Sequence, residues 1–349
     1  MEGRATAVDL GTCTTTVLVP GRGVVLEEPS LVALTADDGR PVAVGTEAWR
    51  MLGRTPAAIE VVRPLHHGVI TDLDVCTRML RYMLLQVQAR RWSRPKLLVV
   101  VPSGLAPVEQ RAVQEAAEEA GGRRPVDLVE AHIAAALGIG LPLHDARGSM
   151  VVVLGGGRTE VAILSLGGVV ARKSLALGGM DFDQAIVDYF KKEHGVALGE
   201  RTAEELKIQV GSAGPARPEA ARAARPDAPD DYDAEIRGRD LVTGLPRTVM
   251  TSTVEVREAL EGPVVAVVDA VKEVIDATPP ELAADVMQHG VAIVGGGAQL
   301  RGLDQRLADE TGLPVMIHGN PLHAVARGAG HCLANLDACR DVLVDVSQL

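Results

Sequence analysis

Three stretches decide the reading: VDLGTCTT at residues 8–15, VVLGGGRTE at 152–160 and AIVGGGAQL at 292–300. In each, a short apolar run of strand character meets a polar or glycine-rich turn. More strand follows the first two, as TTVLVPGRGVVLEEPSLVAL and TEVAILSLGGVVARKSLAL; a helical pattern follows the third. Glycine at a strand end lets backbone N–H groups approach a phosphate with no Cβ in the way. One such turn is weak evidence; three of them predict two related α/β lobes, each built on a mixed sheet, closing on one cleft.

The rest of the chain fits that frame. KLLVVVPSG reads as a buried strand, and DLDVCTRMLRYMLLQVQARR, PVEQRAVQEAAEEAG and AHIAAALGIGLP as helices. DFDQAIVDYFKKEHG, TAEELKIQVGSA and EVREALEGPVVAVVDAVKEVIDATP continue as helices, and PVMIHG and PLHAVARGAGHCLANL close the chain as strand and helix. Residues 214–230, GPARPEAARAARPDAPD, lose the pattern and are expected to be a mobile insertion.

A chain of 349 residues suits two core-bearing lobes. Its 35 Lys and Arg against 46 Asp and Glu give a net charge of −11, and aromatics are 2%. General nucleic-acid binding, which wants a basic face and stacking platforms, is therefore not expected. Cys13, Cys76, Cys332 and Cys339 form no CxxC pair, so free thiols in a reducing cytosol are expected. The opening MEGRATAVDLG lacks a secretory pattern, and no apolar run reaches the length of a membrane span. P-loop, dinucleotide, zincin and hydrolase-elbow motifs are missing.

Taken together, DLGTCTTTVLVPGRGVVLEEPSLVAL, RPLHHGVITDLDVCTRML, VPSGLAPVEQRAVQEAAEEAG, GSMVVVLGGGRTEVAILSLGGVV, TAEELKIQVGSA and GVAIVGGGAQLRGLDQRLADETGLPV resemble the MreB-type bacterial actins, in order, over roughly residues 5 to 335. The wider group holds actins, sugar kinases and heat-shock chaperones, so fold alone does not separate these functions. The resemblance implies an actin-like two-lobed α/β fold, with duplicated mixed-sheet domains around a nucleotide cleft. Residues 1–145 would form the first lobe, with 30–65 its smaller subdomain; residues 146–335 would form the second and 336–349 a tail. It also implies ATP with Mg²⁺, self-assembly into filaments, and a cytoplasmic position at the inner membrane, organising cell-wall synthesis.

Carried over residue by residue, Asp9, Gly11, Thr12, Cys13 and Thr14 fall in the first phosphate turn, with Asp9 holding metal through water. Gly155, Gly156, Gly157, Arg158 and Thr159 fall in the second. Glu204 and Lys207 match the pair at the nucleoside, Gly295, Gly296 and Gly297 the adenosine-side turn, and Asp72 a segment near metal-bound water.

The departures from the family pattern are specific. Val153 stands where the family carries an aspartate that helps hold Mg²⁺, and Ala131 where it carries the glutamate that orients the attacking water. Thr14 replaces an asparagine and Val294 a threonine. Losing a water-orienting carboxylate costs on the order of 10²–10⁴ in rate. Slow hydrolysis is therefore expected, which leaves open whether the chain is an enzyme. Arg158 either supplies part of the lost metal charge or points to solvent; Glu130, one residue off, substitutes for Ala131 only if the helix start shifts. His132 reads as a satisfied helix-terminal histidine.

The stretch Arg90, Arg91, Trp92, Arg94 and Lys96 gathers four cations around one of two tryptophans in an acidic chain, a pattern that suits an anionic bilayer surface. Two readings stand beside the filament: a non-polymerising nucleotide-sensing adaptor of a membrane assembly, and a small-molecule kinase of the same superfamily.

Overall fold

The computed structural model describes residues 5–87, 94–214 and 232–344. Arg90, Arg91 and Trp92 of the basic stretch, and all of the 214–230 insertion but Gly214, lie outside the described residues.

Two five-stranded sheets organise the chain. The first is built from β1 (Ala5–Leu10), β2 (Thr14–Val19), β3 (Gly23–Pro29), β4 (Lys96–Val101) and β5 (Arg123–Glu130), in the order β5-β4-β1-β2-β3. The second is built from β6 (Ser149–Leu154), β7 (Thr159–Ser165), β8 (Gly168–Leu175), β9 (Val291–Val294) and β10 (Val315–Ile317), in the order β10-β9-β6-β7-β8. Adding five to each strand number of the first sheet gives the second. The pairings repeat as well. β1 runs antiparallel to β2 and parallel to β4, as β6 does to β7 and β9. The chain has used one topology twice.

Alternation along the strands sets what each face meets. In β1, Val8 and Leu10 point to an outer core shared with the helices Leu73–Val87 and Pro107–Glu119, whereas Ala7 points inward. In the second sheet, Met150, Val152, Leu154, Val161 and Ile163 join an outer core under the helices Gly179–Tyr189, Glu200–Val210 and Thr253–Asp276. Val151, Val153, Ala162 and Leu164 point inward, into the same central core as Ala7.

Two small-residue helices fill that central core, Ala131–Gly138 after β5 and Ala324–Ala334 after β10. Their approach is close because each carries a glycine at the crossing. A Cβ on Gly138 would lie 1.8 Å from the Ala324 carbonyl oxygen, and one on Gly328 would lie 1.6 Å from that of Ala134. This contact ties the two sheets together and leaves the inner ends of β1 and β6 facing one another.

Smaller elements sit at the edges. The strands Val32–Thr35, Pro41–Val44 and Ile59–Val62 form one three-stranded sheet within the segment expected as a subdomain. Val196–Ala197, Asp233–Asp240 and Pro246–Ser252 form another. The sequence reading passed over the hairpin Asp233–Ser252, the strand β5 and the helix Pro280–His289, although Leu282, Ala283, Val286 and Met287 fall at helical spacing in the last.

Candidate functional site

The two turns expected to face each other do so. A cavity of about 510 Å³ opens between them, lined by Asp9, Gly11, Thr12, Cys13, Thr14, Gly155, Gly156, Gly157 and Arg158. Glu204, Lys207, Gly295, Gly296 and Gly297, also predicted, line it as well. The turns touch directly: a Cβ on Gly156 would sit 2.3 Å from Cys13 Sγ, and one on Gly157 would sit 2.6 Å from Thr12 Oγ1. Glycine is needed there because the partner turn occupies the side-chain space. Gly295 has φ +91°, and a Cβ on it would meet the Leu154 carbonyl oxygen at 2.3 Å.

The second turn is seated on the first turn of the helix Gly179–Tyr189, whose Gly179 and Met180 N–H groups donate to the carbonyls of Gly155 and Gly156 at 2.9 and 2.7 Å. Lys207 holds that helix from the side, donating to the Gly179 carbonyl at 2.8 Å and pairing with Asp183 at 2.8 Å. Burial lifts the Asp183 carboxyl to about 6 against the opposing pull of Lys207. Burial also pushes the Cys13 thiol up to about 11, so it stays a neutral turn residue.

A two-stranded hairpin, Leu65–His66 with Val69–Ile70, staples the two turns. Its Gly68 N–H donates to Thr12 Oγ1 at 2.8 Å on one side. On the other, His67 Nδ1 donates to the Gly157 carbonyl at 2.6 Å, and Arg158 Nε donates back to the His67 carbonyl at 2.9 Å. Arg158 also donates to Ser174 Oγ at 2.9 Å. Its guanidinium is therefore engaged as a clasp between the two halves rather than pointing to solvent. His67 holds a left-handed conformation, φ +46°, where a bulky residue is uncommon. The sequence reading missed this residue; the His66-His67-Gly68 run in a hairpin turn was the available signal.

Three predicted residues lie off the cavity. Asp72 is exposed and accepts the Val75 N–H at 2.9 Å, capping the helix that begins at Leu73. Thr159 is buried and donates to the Leu177 carbonyl at 2.8 Å. Glu130 lies off the cavity, half-buried and paired with Arg172 at 2.9 Å, while Ala131 occupies the wall it would have had to reach. Of the basic stretch, Arg94 is exposed and Lys96 pairs with Asp127 at 3.3 Å. Among the described residues no helix is long and apolar enough to cross a membrane.

Three acidic residues that line the cavity were not foreseen, Glu27, Asp183 and Glu160, and Glu160 is the one that lies beside Asp9. Glu160 lines the cavity and is only 3% exposed. The Ser103 N–H donates to its Oε1 at 2.7 Å, and His132 Nδ1 lies 3.2 Å from its Oε2. His132 lies in the first turn of the helix Ala131–Gly138, as expected, and is wholly buried, with its Nε2 3.5 Å from Glu130. Burial, and then the like charge of Glu160, push the Asp9 carboxyl from 3.8 to about 7.

The sequence profile of the family described as MreB/Mbl protein matches residues 3–341. The chain is 44% identical over 338 residues to the cell shape-determining protein Mbl of Bacillus subtilis, covering 97% of this chain and 98% of that one. It is 44% identical over 337 residues to the cell shape-determining protein MreB of Escherichia coli, covering 95% and 93%. Among solved structures, MreB5 of Spiroplasma citri bound to AMPPNP superposes with a TM-score of 0.87 at 32% identity, over 95% of this chain and 96% of that one. A MamK double helical filament shares the fold at 21% identity, with a TM-score of 0.77 over 95% and 99%.

Proposed function

The chain belongs to the MreB/Mbl family, and from that premise we propose that it is an actin-like, cell shape-determining filament subunit that binds ATP with Mg²⁺ between its two glycine turns. The observation that carries the reading is the cavity itself: two opposed turns whose glycines leave no room for side chains, flanked by Lys207 and Glu204. Backbone N–H groups of such turns suit a polyphosphate, and the third turn at Gly295–Gly297 closes the wall where a nucleoside would lie. One relative of this chain, MreB5 of Spiroplasma citri, has been solved with AMPPNP and with ADP bound.

The residues present fit a divalent cation. Asp9 sits in the cavity, where burial and then the like charge of Glu160 push its carboxyl toward neutrality. Magnesium is commonly held by one or two carboxylates together with substrate phosphates. When bound, it would neutralise charge that develops on the phosphates. The chain's own part is then to hold the two turns together through His67, Arg158 and Gly68, and to keep the phosphates apart from bulk water. Val153 and Ala131 both line the cavity as apolar groups, which supports slow hydrolysis.

Filaments of this subunit would lie against the inner face of the membrane, docked weakly through Arg90, Arg91, Trp92 and Arg94, strengthened by avidity, and would organise cell-wall synthesis. The two apolar replacements also favour a second reading, an adaptor that senses nucleotide without polymerising. High-speed sedimentation of the intact chain with Mg²⁺ and ATP, with and without vesicles rich in anionic lipid, separates them. The filament reading predicts nucleotide-dependent pelleting that rises with vesicles. A chain that binds nucleotide and stays in the supernatant at every concentration is the adaptor.

A further inference from the structure

The two turns belong to hairpins of equal length. In the first, Asp9 on β1 stands opposite Thr16 on β2; in the second, Val153 on β6 stands opposite Glu160 on β7. Seven positions separate the members of each pair. Residues opposed across an antiparallel ladder share a sheet face, with Cβ atoms about 5 Å apart. Asp9 has the inward parity of Ala7, and Glu160 that of Ala162 and Leu164, so both carboxylates lie on the faces that look at each other across the central core.

We propose that Glu160 is the metal-positioning carboxylate of the second half, reaching from β7 the place that Val153 leaves apolar on β6, with His132 and the Ser103 N–H as the groups that aim it. The inference rests on the nucleotide-binding reading above and deepens it. A glutamate carries one more methylene than an aspartate, which lets a carboxylate on the returning strand reach toward a site first served from the outgoing one. Both of its oxygens are engaged, Oε1 by Ser103 and Oε2 by His132, so its direction is fixed. Its presence beside Asp9 gathers two negative groups, and among the described residues no three His, Cys, Asp or Glu side chains are grouped so as to hold a metal ion by themselves. Cation binding would therefore depend on the nucleotide, whose phosphate oxygens complete the coordination.

The test is calorimetric titration of the intact chain with a non-hydrolysable ATP analogue, in Mg²⁺ and in EDTA. Wild-type protein is expected to bind more tightly with Mg²⁺. Glu160→Gln is expected to lose about tenfold or more of that gain while its affinity in EDTA stays the same or rises. Glu160→Asp, which keeps the charge and shortens the reach, should lose part of it, and His132→Gln should lose about tenfold. Replacing Mg²⁺ with Mn²⁺ gives a second readout, since removing Glu160 should alter the electron paramagnetic resonance line shape of the nucleotide-bound ion. If wild-type protein binds no analogue, the nucleotide reading fails and this inference falls with it. If wild-type binding gains from Mg²⁺ and both Glu160→Gln, shown folded by its thermal melt, and Glu160→Asp keep the whole gain, the nucleotide reading stands and this inference is wrong. Should Glu160→Gln not fold, the titration of Glu160→Asp and His132→Gln decides alone.

Discussion

The two phosphate hairpins share length, register and partner strands, yet they solve different problems. The first keeps its carboxylate, Asp9, on the outgoing strand and faces it with Thr16; the second has apolar Val153 there and carries Glu160 on the returning strand. At the turns, Thr14 matches Arg158, a side chain that reaches across to the stapling hairpin. The lesson is that a duplicated fold fixes where charge is presented, the inner face of the sheet, and leaves free which of two opposed positions presents it.

The largest expected effect concerns the buried carboxylates. Asp9 holds its proton in the folded, nucleotide-free protein up to about pH 7 but releases it near 3.8 when unfolded. Over that range the native state binds more protons than the unfolded state, so stability falls as pH rises. The contribution is fully present below about pH 3.8 and gone above about 7, a loss of up to about 4 kcal/mol. Asp183 acts with the same sign but is spent by about pH 6, so the interval from 6 to 7 belongs to Asp9. Chemical denaturation across pH 4–8 should show the decline, and Asp9→Asn should flatten its upper part. Equal slopes for both proteins would mean that the first hairpin carries no strained charge.

The next contrast uses the matched glycines. A Cβ on Gly11 would lie 2.5 Å from the Thr14 carbonyl oxygen, whereas one on Gly155 would lie 3.2 Å from that of Arg158. Gly11→Ala should cost about 2–3 kcal/mol and Gly155→Ala less than about 1 kcal/mol, read from denaturation midpoints. The reverse order would break the claimed equivalence of the turns.

The clasp comes third. Arg158→Ala removes charge-assisted hydrogen bonds to the His67 carbonyl and to Ser174, and should destabilise by about 1–2 kcal/mol. Thr14→Ala at the matching position should cost less than about 1 kcal/mol. Hydrogen exchange at Gly68 reports the same event locally, and should quicken in the arginine variant alone.

The smallest effect is expected at Glu130. Its partner Arg172 is well exposed, and such a pair contributes at most about 1 kcal/mol. Glu130→Gln should change phosphate release far less than Glu160→Gln does; a larger loss would return the cleft carboxylate to the helix start.

Most of the fold was legible because strand alternation and glycine turns are local signals. The repeated strand-turn pattern at Asp9, Val153 and Val294 located the cavity walls, and the long motifs located the family. What escaped depends on register. Glu160 is a single acid in the apolar run TEVAILS, and its meaning appears only when Val153 is set opposite it. His67 acts through backbone carbonyls far along the chain, which no spacing reveals. Asp72 misled because a helix cap and a cleft carboxylate look alike in sequence; only the Val75 N–H tells them apart.

The most direct test moves the carboxylate back across the ladder. Glu160→Thr alone, and Val153→Asp with Glu160→Thr together, would be compared with wild type for the gain in affinity for a non-hydrolysable ATP analogue that Mg²⁺ confers. The single change is expected to lose the gain, and the double change, which copies the first hairpin's Asp9 and Thr16, to restore it. Full gain in the single variant, or none in a folded double variant, would contradict that expectation.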